Sequence, residues 1–198
     1  MGSLRRDLIT ALSAMVVLTL ALGVAYPLLT TGVAQVLFPG ASNGSRVEVD
    51  GRVVGSELIG QDFGGQPRYF QGRPSVTGYS ANVTYFNNLG PNDRELSEFM
   101  EEELDAYLRR EGRYDRGLTA AEVPVDAVST SASGVDPQIS EANARIQAHR
   151  VAAVRGLSLG AVLGLIEANT EGRFLGVFGE PGVNVLKLNI ALDEERSR

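Results

Sequence analysis

Few residues of this chain have the types and spacing that catalysis requires. The sequence GLSLG at residues 156–160 matches the G-x-S-x-G pattern of a nucleophilic serine, which works only on a sharp turn between a strand and a helix. Here a helical pattern precedes the serine. The only histidine, His149, also comes before the serine, whereas the fold that uses this motif places its histidine afterwards. We therefore interpret Gly156 as a helix stop and Ser158 as the cap of the next helix.

Nucleotide and metal sites also lack their sequence signals. The only lysine, Lys187, is followed by Leu188, so the chain has neither a phosphate-binding loop ending in Lys-Ser or Lys-Thr nor an Asp-Lys-Thr-Gly phosphorylation motif. The absence of cysteine excludes disulfides and thiolate ligands, and a single histidine leaves little from which to build a zinc site. We predict that this chain has no catalytic residue and binds no metal or cofactor of its own.

The net charge limits the kinds of partner that this chain can bind. A formal net charge of -6 argues against nucleic acid. Several charges lie on one face of a predicted helix, and we interpret that face as solvated rather than as a cation site. Its members are Glu98, Glu101, Glu102, Asp105 and Arg109.

The N-terminal segment has the length and composition of a membrane span. Residues 8–38 carry no charge, and the apolar run over residues 8–29 exceeds the ~20 residues that a helix needs to cross a bilayer. Tyr26 is placed to lie at the headgroup level, and Pro27 lies near the end of the span. A cleaved signal peptide is the alternative, with residues 23–25 as its cleavage site. We favour a retained anchor because the apolar run is longer than a signal core.

Arginines set the orientation of this span. Arg5 and Arg6 precede it, and the next basic residue is Arg46, so the positive-inside rule places the N-terminus in the cytoplasm and the rest of the chain outside. We therefore divide the chain into a transmembrane anchor (residues 1–38), a linker rich in proline, glycine, serine and asparagine (39–45) and an extracytoplasmic domain (46–198). The cytoplasmic membrane is the predicted location.

The domain is predicted to be of the α+β class, because helices and strands mix without a regular βαβ repeat. A hairpin is expected over residues 47–54 around Asp50-Gly51, followed by a short helical turn over Leu58 and Ile59 that Ser56 caps. A helix is expected from Asn92, as N-cap with Glu95 at the capping-box position, to Gly112. Further helices are capped by Ser140 and Ser158, and the period-two pattern over residues 183–192 predicts a half-buried strand.

Three loops mix aromatic, glycine and polar residues in a way that is common where binding contacts sit on a rigid scaffold, although ordinary turn chemistry also uses these residues. They lie at residues 69–75, 87–92 and 129–137.

Taken in order, YFQGRPS (69–75), NLGP (88–91), VPVD (123–126) and SASGVDP (131–137) resemble one family closely. The resemblance continues through Gln147, RVA (150–152), RGL (155–157), GEP (179–181), VNVL (183–186) and Asp193. It is to the C subunits of the Kdp-type potassium-importing P-type ATPases, over nearly the whole chain.

This resemblance implies a non-catalytic accessory subunit that is needed for assembly and activity. The implied partners are a channel-like potassium-binding subunit, an ATP-hydrolysing pump subunit, often a very small hydrophobic subunit, and the lipid bilayer. ATP, magnesium and potassium would act in the complex. The family is often described as a catalytic chaperone that raises the affinity of the pump subunit for ATP, which an external domain could do only through a coupling free energy across the membrane subunits.

The motif residues are the candidate partner contacts: Tyr69, Phe70, Arg73, Pro74, Asn88, Leu89, Gly90, Pro91, Ser133, Asp136, Arg150, Arg155 and Asn184. Departures from the family pattern occur at residues 83–88, where a Ser-Gly-Gly-Ser-Asn run is usual, at Gln138 and at Gly182. Residues 43–45 and 82–84 match the glycosylation acceptor pattern, which we interpret as chance. The alternative function is a membrane-anchored external ligand-binding protein that acts without a pump. A secreted hydrolase, supported only by GLSLG, comes third.

Overall fold

The computed structural model describes residues 2–82 and 88–195 of the chain, which divides into two compact units, Met1–Arg46 and Val47–Arg198. The described residues mix helix and sheet and include one long apolar helix at the N-terminus, which confirms the α+β class and the single candidate span. The departure from the family pattern at residues 83–88 and the acceptor pattern at residues 82–84 both extend into residues 83–87, outside the described residues.

A continuous helix over Ser3–Leu37 forms the first unit. It comprises α1 (Gly2–Leu18), a π-helical stretch (Thr19–Ala25) and α2 (Tyr26–Leu37). Its 35 residues, at about 1.5 Å each, are long enough to cross a bilayer core, and none of the residues in its most apolar window is buried. The helix is therefore long and apolar enough to span a membrane.

The π-helical stretch is explained by Pro27. Proline has no N–H to donate, and its ring collides with the carbonyl of the preceding turn of a regular α-helix. Widening the helix just before Pro27 relieves that collision, and the N–H of Tyr26 bonds to the carbonyl of Ala21, five residues earlier. After the proline, Thr30 Oγ1 donates to the carbonyl of Tyr26 at 3.0 Å, within the regular helix α2.

A short helical turn, α3 (Pro39–Ser42), precedes the first strands, β1 (Arg46–Val49) and β2 (Arg52–Ser56). Asp50 and Gly51 both have positive φ (51° and 73°), the pairing that a type I′ turn requires, so the predicted hairpin is confirmed. Ser56 Oγ accepts from the backbone N–H of Leu58 at 3.1 Å, but residues 57–58 form a simple turn, so the predicted helical turn is wrong.

Helix α4 (Arg94–Glu111) begins one residue later than predicted. The carboxylate of Asp93 accepts from the N–H of Glu95 at 3.0 Å, so Asp93 is the N-cap and the prediction of Asn92, with Glu95 as its capping-box partner, is wrong. A carboxylate is the better cap because it also interacts with the positive end of the helix dipole. Gly112 ends the helix in the right-handed conformation, with φ -63°. A Cβ at this position would lie 2.6 Å from the carbonyl oxygen of Leu108, which is too close for any residue other than glycine.

Helices α5 (Glu141–Arg155) and α6 (Leu159–Ala168) begin at the predicted serine caps. Ser140 Oγ accepts from the N–H of Asn143, and Ser158 Oγ accepts from the N–H of Ala161, each at 3.1 Å. Gly156 ends α5 in the left-handed region with φ 71°. The GLSLG sequence is therefore a helix stop followed by a helix cap, as predicted.

A small antiparallel sheet has β5 (Gly182–Asn184) in the middle, between β3 (Gln138–Ile139) and β4 (Thr170–Glu171). Residues 185–195 then form a helix, α7 (Val185–Glu195), so the predicted strand over residues 183–192 is wrong beyond Asn184. Asn184 Oδ1 accepts from the N–H of Lys187 at 3.1 Å and starts the helix. Val185, Leu188, Asn189 and Leu192 are buried at helical spacing.

The main core of the domain lies where α5, α6 and α7 pack together beside the small sheet. Phe70 is fully buried in it, although it lies in no regular element. A smaller apolar cluster joins α4 to two 3₁₀ turns, Ala120–Glu122 and Val125–Ala127. The acidic face of α4 is exposed, as predicted for a solvated face.

Candidate partner-contact site

The segment of residues 67–71 has no regular secondary structure of its own, yet buried side chains hold its backbone throughout. We call it the clamped segment. Arg150 Nη1 donates to the carbonyls of Pro67 (2.6 Å) and Tyr69 (2.9 Å). Arg155 Nε donates to the carbonyl of Arg68 (2.7 Å). Both arginines belong to α5, so one helix fixes three successive carbonyls.

Two amide side chains complete the clamp. Asn189 accepts from the N–H of Phe70 (2.9 Å) and donates to its carbonyl (3.0 Å). Gln147 does the same to Gln71, at 2.8 and 3.1 Å. Each amide thus offers one acceptor and one donor to one residue, as a neighbouring strand would. Buried backbone groups need such partners, which explains how an irregular segment can cross the core.

A buried ion pair supports the clamp from behind. The side chains of Arg150 and Glu111 are 1% and 0% exposed, and Arg150 Nε lies 3.0 and 3.1 Å from the two carboxylate oxygens. Arg150 Nη2 also donates to Gln147 Oε1 at 2.8 Å. Desolvating both charges is costly, so the pair holds this geometry only because nearly every donor of the guanidinium has a partner.

Tyr69 ties the clamped segment to the last helix. Its hydroxyl donates to Asp193 Oδ2 at 2.8 Å, and the guanidinium groups of Arg68 and Arg155 each lie 5.0 Å from the centroid of its ring. Asp193 also pairs with Arg155 at 2.9 Å and with Arg68 at 3.3 Å. Tyr69 and Asp193 therefore join the clamped segment, α5 and α7 at one point.

A second polar network lies between α4 and α5. The Tyr107 hydroxyl donates to Asn143 Oδ1 (2.8 Å), and Asn143 Nδ2 donates to the carboxylate of Asp126 (3.0 Å). Asp126 also accepts from the N–H and hydroxyl of Ser140, the cap of α5. Burial, followed by the nearby charge of Glu111, raises the pKa of the Tyr107 phenol far above its usual range, so this hydroxyl stays a donor.

Downstream of the clamp, Arg73 holds two of the predicted loops together. Its guanidinium pairs with Asp136 at 3.1 Å and donates to Ser129 Oγ (3.3 Å) and to the carbonyl of Thr130 (3.0 Å). The Tyr79 hydroxyl donates to the carbonyl of Arg73 (2.5 Å). Burial, and then the charges of Asp62 and Asp136, raise the pKa of Tyr79 to about 12.

A second contact joins the same two loops, because Ser75 Oγ donates to the carbonyl of Gly134 at 2.6 Å. Beside these contacts lies an open groove of about 340 Å³ between the predicted loops and the first turns of α4. It is lined by Val76, Asn88, Leu89, Leu96, Phe99, Thr130, Ser131 and Ala132. All three loops named in the sequence contribute to this part of the surface, since the first loop continues into residue 76. We call residues 73–79, 88–91 and 129–136 the loop face.

The structure separates the predicted contact residues by burial. Phe70, Arg150 and Asn184 are buried. Tyr69, Arg73, Pro74, Leu89, Asp136 and Arg155 are half-buried, and Asn88, Gly90, Pro91 and Ser133 are exposed. The buried group has its partners within the chain; Asn184 Nδ2, for example, donates to the carbonyl of Glu57 at 2.8 Å. These side chains build the scaffold, while the exposed and half-buried residues of the loop face have surface to offer.

The sequence did not single out Glu111, although a signal exists. Glu111 lies in the last turn of α4, where a negative charge opposes the helix dipole and where Arg109 and Arg110 are favourable. An acidic residue at that position indicates a partner elsewhere, which here is Arg150. Asp126 gives no such local signal, because it acts through Ser140, the N-cap of a helix that begins fifteen residues after Asp126, at Glu141.

The described residues hold no arrangement suited to metal chemistry, because no three or more histidine, aspartate or glutamate side chains among them are grouped around a common point. Lys187 lies on α7, 2.7 Å from Glu57 and 3.1 Å from Glu171. Hydrogen bonding to the Glu57 carboxylate raises the pKa of the Lys187 ammonium above its usual value. Its role in this structure is to join three parts of the domain.

These features define a class of protein: a mixed α+β domain that follows a helix able to cross a membrane. Many of the buried polar side chains of the domain form hydrogen bonds that hold its loops in place. Comparison with known proteins then gives the family. A family profile described as "K+-transporting ATPase, c chain" matches residues 8–194. The chain belongs to this family, KdpC.

Individual relatives are similar in sequence to this chain over most of their length. A potassium-transporting ATPase KdpC subunit of Nitratidesulfovibrio vulgaris is 51% identical over 172 residues, covering 85% of this chain and 84% of the relative. Its counterpart in Methylococcus capsulatus is 51% identical over 189 residues, covering 94% and 96%. A third, in Sorangium cellulosum, is 49% identical with the same coverage. The resemblance seen in the sequence motifs is confirmed.

Proposed function

We propose that this chain is an accessory, non-catalytic subunit of a potassium-importing ATPase. It is anchored by its N-terminal helix and uses the loop face to dock on the channel-like subunit outside the membrane. Family membership supports the role as a subunit of such a complex. ATP hydrolysis, with magnesium, belongs to the pump subunit. The accessory chain stabilises the assembly and tunes the access of potassium to it.

The observation that carries this proposal is the construction of the loop face. Arg150, Arg155, Asn189 and Gln147 fix the backbone of the clamped segment, and Arg73 then ties the next loop to residues 129–136. Because a preorganised surface loses little conformational entropy when it binds, such a framework suits protein docking.

An influence on the ATP affinity of the pump subunit fits this arrangement only as an indirect effect. The positive-inside rule places the domain outside, on the opposite side of the membrane from ATP. Docking would then change the balance between conformations of the membrane subunits, and a coupling of about 1–3 kcal/mol alters an affinity roughly 5- to 150-fold. No contact between this chain and nucleotide is required.

The alternative, an external ligand-binding protein that acts without a pump, needs an enclosed and mostly apolar pocket. Among the described residues, the groove between the β1–β2 hairpin and α7 has a volume of about 730 Å³, but it is open to solvent and not enclosed. Its lining includes charged Asp50, Asp193 and Glu194. This observation counts against the alternative.

The decisive experiment is co-purification with function. We expect the full-length chain, carrying a tag and purified from gently solubilised membranes, to be recovered with the pump and potassium-binding subunits. We expect its deletion to lower potassium-stimulated ATP hydrolysis by the remaining subunits about tenfold or more. The purified chain alone should hydrolyse no ATP. Recovery of the chain without those subunits, or hydrolysis by the chain alone, would refute the proposal.

Membrane orientation has a separate test, because the chain contains no cysteine. In intact cells, a membrane-impermeant maleimide is expected to label Leu58→Cys, at an exposed position of the domain, and to leave Ser3→Cys unlabelled until the cells are opened. Labelling of Ser3→Cys in intact cells, with protection of Leu58→Cys, would mean that the domain faces the cytoplasm.

A further inference from the structure

Between β4 and β5 the chain makes a hairpin finger, residues 173–180, that belongs to neither core cluster. Phe174 and Phe178 pair through two backbone hydrogen bonds, with N–H to carbonyl distances of 2.8 and 3.0 Å. At its base, Arg173 Nη2 bonds to both carboxylate oxygens of Glu180, at 2.9 and 2.7 Å. The finger is thus closed by backbone bonds at its tip and by an ion pair at its base.

The tip of the hairpin finger is apolar and exposed on every side. Phe174, Leu175, Val177 and Phe178 are 72%, 75%, 69% and 64% exposed. No other five-residue stretch of the described domain places four large apolar side chains in water. Monomeric proteins rarely expose such a patch, and a contiguous one marks an interaction site.

Leu175 adds a second, independent observation. Leu175 and Gly176 have positive φ of 53° and 75°, which is the geometry of a type I′ turn. Asparagine or glycine would adopt the first position with little strain, whereas a leucine there is disfavoured by contact between its Cβ and the backbone. An exposed leucine in this conformation does not stabilise the isolated domain, because its side chain buries little apolar surface and its backbone is strained in the turn. The isolated domain therefore gives no reason for a leucine at this position.

Charge decides between a lipid surface and a protein as the occupant. Apolar loops that enter bilayers are assisted by unpaired basic residues, which attract anionic headgroups. Here Arg173 is neutralised by Glu180, and Lys187, joined to the preceding strand through Glu171, is also paired with Glu57. Glu167, exposed on α6 just before the hairpin finger, adds further negative charge. The surroundings of the tip therefore oppose an anionic membrane and favour an apolar cleft on a protein.

We infer that the hairpin finger inserts its apolar tip into an apolar cleft on another subunit of the transport complex, and so forms a docking element separate from the loop face. This inference rests on the proposed function. It assigns residues 174–178 a role that does not involve the clamped segment, and the contact is dominated by burial of apolar surface. High salt should therefore weaken it little.

Photo-crosslinking identifies the occupant directly. Leu175 is replaced by p-benzoylphenylalanine in the full-length chain, which is co-expressed with the other subunits and irradiated in membranes, with the same replacement at Leu58 (63% exposed) as control. An adduct between position 175 and another subunit is expected. Adducts only with lipid, only with a second copy of this chain, or with no molecule would each overturn the inference.

A pair of matched substitutions measures what the contact contributes. Leu175→Asn keeps the turn, because asparagine tolerates positive φ, and removes the apolar side chain from the tip. It is expected to speed release of the chain from the purified complex about tenfold or more, whereas Leu58→Asn leaves the release rate unchanged. Equal release by both variants and the wild type would overturn the inference.

The two proposals fail in different ways. If the wild-type chain does not co-purify with the transport subunits, the proposed function is refuted and the inference falls with it. If the wild type co-purifies but position 175 crosslinks to no other subunit, only the docking role of the hairpin finger is refuted.

Discussion

Replacing Arg150 with alanine is expected to lower the free energy of unfolding by about 3–5 kcal/mol, the usual consequence of removing one partner of a buried ion pair. The carboxylate of Glu111, 1% exposed, would keep only its contact with Arg110. The carbonyls of Pro67 and Tyr69 would lose their shared donor. Denaturant unfolding of the full-length chain in detergent, followed by near-ultraviolet circular dichroism of the tyrosines, measures the change.

The same helix offers a matched control. Arg145 pairs with Glu141 one turn away, and both side chains are about half exposed. Arg145→Ala is therefore expected to cost no more than about 0.5 kcal/mol. The double variant Glu111→Leu with Arg150→Met removes both charges together and should recover part of the loss. Equal destabilisation by Arg145→Ala and Arg150→Ala would show that burial of the pair contributes nothing.

Replacing Asn189 with leucine is expected to destabilise the domain by about 2–4 kcal/mol, although leucine is apolar and of similar size. The cost arises because the N–H and carbonyl of Phe70, which is fully buried, would lose their partners at 2.9 and 3.0 Å. The same unfolding measurement applies. Hydrogen exchange at the amide of Phe70 should also become faster than in the wild type.

Asn92→Leu is the control for this substitution, because Asn92 is exposed and Asp93 takes the capping role before α4. Its expected effect lies within about 0.5 kcal/mol. If Asn189→Leu were as stable as Asn92→Leu, the paired hydrogen bonds to Phe70 would not be what holds the clamped segment in the core.

Local signals in the sequence predicted the long N-terminal helix, the β1–β2 hairpin and helices α4 to α6. The largest failure, in α7, occurred where a buried polar residue disguised the pattern. Ser140, Ser158 and Asp50-Gly51 act through neighbours within four residues, so their roles could be predicted. Asn189 is polar but buried inside α7. In the sequence it therefore looks like one of the exposed polar residues of a strand in which polar and apolar residues alternate. Its burial makes sense only once Phe70, 119 residues away, is known to bond to it.

The candidate site was predictable in its location but not in the division of labour among its residues. The motifs drew attention to Tyr69, Arg150 and Arg155 together with the loops, and the structure joins them. Sequence alone cannot tell a side chain that faces a partner from one that holds a loop, since arginine serves both purposes. The distinction depends on burial, and burial depends on contacts between residues far apart in the chain.

Those long separations have a consequence for how the domain is made. The hydroxyl of Tyr69 and the carboxylate of Asp193 are 124 positions apart, so the clamp cannot close until that much more chain has been synthesised. At about 5–20 residues per second, this interval is roughly 6–25 s. During this interval the core residues that pack against Phe70 are not all present, so its side chain stays exposed and can bind chaperones or misfold. The clamped segment, on which the core position of Phe70 depends, is therefore among the last parts of the domain to take shape.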